Sequence, residues 1–186
     1  MSESVRVQSV LVAHASRHGA TAGIAQRVAE GLRSAGLEVD CACVDEVRDV
    51  RPYDAFVIGG AAYITRWLKP ATAFVKTHRA VLAEHPVWLF SSGPLGTDLV
   101  DEQGRDVFET TRPKEWAELV PLVSPRGTTV FFGAWDAQAP PIGLAERAMR
   151  LMPAARDALP DGDFRDWAAI DAWTAEVAEA LRAEPA

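Results

Sequence analysis

Apolar residues along this chain follow two alternating rhythms. Short, nearly continuous apolar runs are separated by stretches in which apolar residues recur every three or four positions. The first rhythm predicts buried strands, the second helices packed by one face. Val7 to Ala13 reads as a first strand and Leu37 to Val44 as a second. Tyr53 to Gly59, centred on Ala55-Phe56-Val57-Ile58, reads as a third. Pro86 to Phe90 and Thr128 to Phe132 read as the fourth and fifth, the last stopped by Gly133. Between them, Ala22, Ile24, Ala25, Val28, Ala29 and Leu32 share one helical face, and Gly36 is a stop signal. Leu68, Ala71, Phe74, Val75 and Leu82 form a second stripe. Pro113 to Val123 predicts a helix with proline in its first turn. Phe164 to Leu181 predicts the last helix, with Trp167, Ile170, Trp173, Val177 and Leu181 facing inward. Leu95 to Gln103 reads as an acidic loop.

Apolar strands alternating with helices predict a single α/β domain, residues 1–186, with a parallel sheet covered on both faces. Ligands of such sheets sit beyond the carboxyl ends of the strands, where the strand order switches. That rule singles out the loops after the first, third and fourth strands. The first is Ser16-Arg17-His18-Gly19-Ala20-Thr21. The first amides of a helix lack intrahelical partners, and its dipole favours an anion there. Gly19 permits close approach, and the Ser16 and Thr21 hydroxyls can donate. The same residues also suit an ordinary helix cap at Ser16 or Thr21.

The second loop, Gly59-Gly60-Ala61-Ala62-Tyr63-Ile64, is small enough to admit a flat molecule against Tyr63, or is a tight turn with a surface tyrosine. The third, Ser91-Ser92-Gly93-Pro94-Leu95-Gly96, offers amides and hydroxyls without charge, or is a plain Gly-Pro turn. One phosphate-type loop beside two small neutral ones suits a planar cofactor with a phosphate tail, and flavin mononucleotide (FMN) fits. The rival signatures are missing. There is no G-x-G-x-x-G after the first strand, no Gly-Lys-Ser/Thr run and no G-x-S-x-G elbow. Ala13-His14-Ala15 lacks the acidic residues of a phosphoacceptor, and the first loop lacks the cysteine of a phosphatase.

The 186 residues carry a net charge of −7 and are 48% apolar, which fits a globular domain and argues against a nucleic-acid footprint. Cys41 and Cys43 alternate with their neighbours and read as small residues on one strand face. They fit a reducing cytoplasm, and the polar start Met1-Ser2-Glu3-Ser4 does not resemble a secretory leader. No apolar run reaches the ~18 residues of a membrane span.

Ser16 to Thr21 resembles the phosphate loop of flavodoxins, roughly Ser/Thr-x-x-Gly-x-Thr, and the order of elements is similar over nearly the whole chain. Phe132-Gly133-Ala134 and the ending Phe164-Arg165-Asp166-Trp167 with Ile170 look like the branch that includes the menaquinone-dependent protoporphyrinogen dehydrogenases. The resemblance implies a three-layer flavodoxin-like domain with strand order 2-1-3-4-5 and an extra helical segment after the fifth strand. It implies that Ser16 to Thr21 hold the FMN phosphate, while Ala61, Ala62, Tyr63 and Ser91 to Gly96 flank the flavin ring. Many flavodoxins carry a second aromatic in the loop after the fourth strand, and none lies between Ser91 and Gly96. Either Tyr63 is the only stacking ring or Trp135 folds in.

Residues 134–162 form a long connection, and Ile142 to Met152 is amphipathic, with Ile142, Ala145, Met149 and Met152 on one side. It reads as a helix packed on the core, a lid over a hydrophobic substrate, a partner surface or a peripheral membrane contact. Two functions follow. One is an FMN-dependent oxidoreductase passing electrons from a hydrophobic substrate to a quinone. The other is an electron carrier docking to redox partner proteins through its acidic surface. No acid–base set stands out. His14 and His18 flank the first loop, and Arg17 is either a phosphate partner or exposed.

Overall fold

The computed structural model describes residues 8–142, 147 and 160–183. In chain order the elements are β1 (Ser9–Ala15), α1 (Ala20–Ser34), β2 (Glu38–Cys43), β3 (Ala55–Tyr63), β4 (Arg66–Trp67), α2 (Lys69–Leu82), β5 (Val87–Ser92), α3 (Val107–Thr110), α4 (Trp116–Val123), β6 (Gly127–Phe131), β7 (Ala134–Trp135), β8 (Gly162–Asp163) and α5 (Trp167–Arg182). The long strands pair in parallel in the order β2-β1-β3-β5-β6, and β4 pairs antiparallel to the end of β3. With the short β4 set aside, this is the expected 2-1-3-4-5 order.

Both faces of the sheet are covered, which is why the strand sequences run apolar without alternation. Leu11, Ala13, Phe56, Ile58, Val87 and Leu89 lie on one face, with Ala71 and Val75 of α2 and Leu119 and Val123 of α4. Val10, Val12, Val57, Trp88 and Phe90 lie on the other, with Ile24 and Val28 of α1 and Ile170, Val177 and Leu181 of α5. Phe56, Ile58, Leu89 and Ile24 are fully buried, each worth about 1.5–3 kcal/mol over exposure. Helix α1 stops as its sequence asks. Gly36 sits at φ 90°, its N–H bonds to Arg33 C=O and the Leu37 N–H to Leu32 C=O, the paired bonds of a Schellman terminus.

Several boundaries differ from the sequence reading. Strand β1 begins at Ser9, and Val7 lies outside the described residues. Strand β3 does not end at Gly59 but runs on to Tyr63. Gly59 and Gly60 are central ladder residues, pairing with His14 and Ala15 on one side and Phe90 and Ser91 on the other. Their lack of a side chain serves packing. A Cβ at Gly59 would lie 1.9 Å from Phe90 Cζ, and one at Gly60 2.5 Å from Trp67 Nε1, which donates to the Gly60 carbonyl at 2.9 Å. Ser91 and Ser92 likewise belong to strand β5 rather than to the loop. Helix α4 starts at Trp116 and not at Pro113. Trp167 does not face the core. It opens α5 at 37% exposure, with the Arg165 guanidinium 4.5 Å from its ring centre.

Beyond β6 the chain forms the small β7–β8 ladder, pairing Ala134 with Asp163 and Trp135 with Gly162. The departure and return of the 134–162 segment are therefore side by side. Within the amphipathic helix expected at 142–152, Ile142 and Arg147 are described and the rest lies outside the described residues. No helix among the described residues is long and apolar enough to cross a membrane.

Candidate functional site

The end of β1 feeds a four-residue turn, Ser16 to Gly19, into α1. Gly19 is the residue before the helix, at φ 85°, a left-handed conformation that costs glycine little. No side chain caps α1, so neither Ser16 nor Thr21 is the helix cap. Ser16 Oγ instead accepts the Gly19 N–H at 3.1 Å and shapes the turn. The first backbone bond of the helix runs from Gly23 N–H to Gly19 C=O at 2.9 Å. The amides of Ala20, Thr21 and Ala22 precede it, where the positive end of the helix dipole lies. Thr21 is 1% exposed, and its hydroxyl lies 2.8 Å from Ser92 Oγ. Two hydroxyls bonded to each other use one of their two hydrogens, so the pair ties α1 to β5 and keeps one hydrogen to donate.

Ser92 is drawn to α1 because alternate β5 residues face alternate sides, which sends Ser91 to the opposite face. Ser91 is buried there with a hydroxyl that finds no partner among the described residues. Beyond β5, Gly93 allows a close approach, since a Cβ there would lie 2.7 Å from the Ala62 carbonyl oxygen. Its N–H donates to Phe131 C=O at 3.3 Å, and the Gly133 N–H donates to Pro94 C=O at 2.8 Å. The ends of β3, β5 and β6 are thereby drawn together.

These elements enclose a cleft of about 480 Å³, within the range of small-ligand sites. Ser16, Arg17, His18, Ala20 and Thr21 line one end. Ala61, Ala62, Tyr63, Ser92, Gly93 and Leu95 line the rest, together with Ile64, Gly133, Ala134 and Trp135. Gly19, Ser91, Pro94 and Gly96 are not in its wall: Gly19 bends the turn, Ser91 faces away, Pro94 is buried and Gly96 sits at φ 104° beyond. The sequence reading puts Ile64 in the second loop but not among the ring-flanking residues, and it does not bring Gly133 and Ala134 to the site, although Phe132-Gly133-Ala134 stands out as a motif. Trp135 lines the same cleft as Tyr63. Its ring meets His18 edge-on at 5.4 Å, and Arg17 lies 5.1 Å from the centre of the Tyr63 ring. The described lining carries Arg17 and His18 and no carboxylate, in a chain of net charge −7.

One further residue holds the cleft from outside. Arg165 donates Nε to Asp163 Oδ1 at 2.8 Å and Nη2 to Oδ2 at 2.5 Å, while Nη1 reaches the Ala20 carbonyl at 3.3 Å. A Cβ at Gly23 would meet Arg165 Nη1 at 2.5 Å, so that glycine makes room for the guanidinium. The hydrogen bond from Arg165 holds the Asp163 carboxyl below its usual range. The Phe164 N–H donates to Gly133 C=O at 3.0 Å. Phe164-Arg165-Asp166-Trp167 thus braces both the start of α1 and the turn after β6. His14 lies just before the first loop, and burial pushes its pKa down, favouring the neutral ring. The free thiols Cys41 and Cys43 lie on the same edge strand, both half-buried, and no metal-type cluster occurs among the described residues.

A model of the flavodoxin domain family matches residues 11–150. No curated protein matches the chain by sequence. A flavodoxin from the domain Archaea superposes with a TM-score of 0.57 at 14% identity, covering 94% of this chain and 99% of that one. A Pseudomonas aeruginosa flavodoxin carrying a cysteine-to-serine substitution gives 0.56 at 17% identity, with 94% and 99% coverage. Rubredoxin oxygen:oxidoreductase from the anaerobe Desulfovibrio gigas gives 0.60 at 13% identity, and there this chain covers 36% of the larger protein. At these identities the likeness is one of fold.

Proposed function

The chain belongs to the flavodoxin domain family, and from that premise we propose that it binds FMN and acts as an oxidoreductase resembling protoporphyrinogen dehydrogenase, passing electrons from a hydrophobic substrate to a quinone. The cleft carries the flavin part of this reading. It joins an anion-favouring end, with the amides of Ala20, Thr21 and Ala22 and the charge of Arg17, to an apolar remainder with two rings, Tyr63 and Trp135. A phosphate suits the first and a flat ring system the second.

Bound FMN supplies electron and hydride transfer, and the protein supplies position and electrostatics. The α1 amides and the Thr21–Ser92 hydroxyl pair hold the phosphate. Ala61, Ala62 and Gly93 leave room for the ring, and Tyr63 and Trp135 flank it. Leu95 and Ile64 lend apolar surface at the edge, where a hydrophobic substrate meets the ring.

The long insertion favours an enzyme over a carrier. It leaves the sheet at Trp135, a cleft residue, and returns at Gly162, which pairs with Trp135. A segment rooted in the wall of the cleft suits a lid or a substrate channel, and its sequence between 142 and 152 suits peripheral contact with a membrane holding the quinone. The second reading is an electron carrier that docks to redox partner proteins, favoured by the net charge of −7. An absorbance spectrum after addition of FMN tests both, since absent flavin bands sink them together. Oxidation of protoporphyrinogen with a menaquinone analogue then separates them: turnover supports the enzyme, and bound flavin without turnover supports the carrier.

A further inference from the structure

A second cavity, of about 470 Å³, adjoins the cleft, and Ser16, Arg17 and Tyr63 line both. Its charged lining is Arg17, Arg66 and Lys69 against one carboxylate, Asp45. Such a surplus of positive charge is out of keeping with a chain of net charge −7. The remainder is partly apolar, with Trp67 and Leu68, both at least nine-tenths buried, and Pro70. Two of these exposed cations, Arg17 and Arg66, have a partner that orients them. Arg17 stacks on Tyr63 at 5.1 Å. Arg66 Nη1 lies 3.2 Å from Glu115 Oε1, and Glu115 Oε2 accepts the Trp67 N–H at 2.9 Å, which fixes the β4 backbone under the cavity.

We propose that this cavity binds an organic acid with an apolar body, its carboxylate between Arg66 and Lys69 and its body against Trp67, Leu68 and Pro70. One exposed ion pair contributes little. Guanidinium groups, however, accept a carboxylate in a matched two-point geometry, and a recess that excludes part of the water strengthens that contact. Exposed Pro70, beside the edges of Trp67 and Leu68, adds apolar contact that an inorganic anion cannot gain. Because Tyr63 is common to both cavities, an acid held here lies one ring away from the flavin site. That consequence rests on the FMN reading, whereas the binding itself does not.

Calorimetric titration of the full chain saturated with FMN tests the proposal, with 2-naphthoate as the acid and 2-naphthamide as its neutral counterpart. The expected result is at least about tenfold tighter binding of the acid than of the amide, and about tenfold loss of acid binding in the Arg66→Gln/Lys69→Gln double variant, each equivalent to one well-made charged contact. FMN affinity stays unchanged in that variant. Equal binding of acid and amide, equal binding to wild type and variant, or displacement of naphthoate by FMN would each overturn the proposal. Should the chain take up no FMN, the flavin reading fails on its own spectrum. The same titration of the flavin-free chain then decides the cavity by whether the double variant weakens naphthoate binding.

Discussion

The two ends of the cleft are built in different ways. The anion-favouring end is a contiguous piece of chain, Ser16 to Thr21, whose geometry follows from a strand, a left-handed glycine and a helix start. The ring end is assembled from the tail of β3, the turn after β5 and a tryptophan beyond β6, residues that meet only because the sheet brings them together. The first end is a local turn shaped by Ser16 and tied to the rest of the fold through Thr21 and Ala20. The second depends on packing elsewhere, at Gly59 under Phe90, at Gly60 under Trp67 and at Gly93 against Ala62. Damage to the packing should therefore cost stability and the ring end together, while changes in the local end should act mainly on recognition of the anion.

The largest effect is expected from Gly59→Ala. Its methyl would lie 1.9 Å from the Phe90 ring, which is fully buried. A loss of about 3 kcal/mol or more in denaturant unfolding is expected for overpacking of this severity. Unchanged stability would show that β3 does not pack here as described.

At the local end, Thr21→Ala should weaken FMN by about 1–2 kcal/mol, the scale of a hydrogen bond to a charged group, and leave riboflavin, which lacks the phosphate, almost unaffected. Equal losses for both ligands would mean that Thr21 acts only through its bond to Ser92. At the ring end, Trp135→Ala should weaken FMN and riboflavin alike, by about 1 kcal/mol for one lost aromatic contact. Loss of FMN alone would place Trp135 with the phosphate and remove the contrast between the ends.

Much of this was legible in the sequence, and the exceptions share one cause. The strands, the helices and the Ser16 to Thr21 turn depend on apolar rhythm and on a single glycine with hydroxyls beside it, all local signals, whereas the strand order is implied only by the resemblance to flavodoxins. Gly59-Gly60 has the local signature of a turn, and the partners that need those glycines, Phe90 and Trp67, are distant for one and across a hairpin for the other. Ser91 and Ser92 read as loop because they are polar, yet both are buried, and Ser92 is satisfied by Thr21 from another layer. Trp135 was open as a second ring. The pairing of β7 with β8 and the contact with His18, both non-local, fix where it sits. Helical spacing points Trp167 to the core, but spacing carries no information about Arg165 covering it at the start of α5.

The smallest effect concerns the brace that joins the two ends. Arg165 links Asp163, beside Trp135, to the Ala20 carbonyl at the head of α1. Its hydrogen bond depresses the Asp163 pKa in the folded chain. The resulting stabilisation is complete above the unfolded carboxyl pKa of about 4 and is lost as the pH falls through the lower folded value. Half-exposure of Asp163 keeps it small through solvent screening. Asp163→Asn should therefore narrow the stability difference between pH 6 and pH 3 slightly, measured by denaturant unfolding. A variant more sensitive to acid than the wild type would contradict the brace.

The central claim is that one cleft combines a phosphate end with a ring end, and paired titrations of the flavin-free chain with FMN and riboflavin test it most directly. The account predicts that both quench flavin fluorescence on binding and that FMN binds at least about tenfold more tightly, as expected for several charged hydrogen bonds to the phosphate. Equal affinity for the two, or no binding of either, would contradict it.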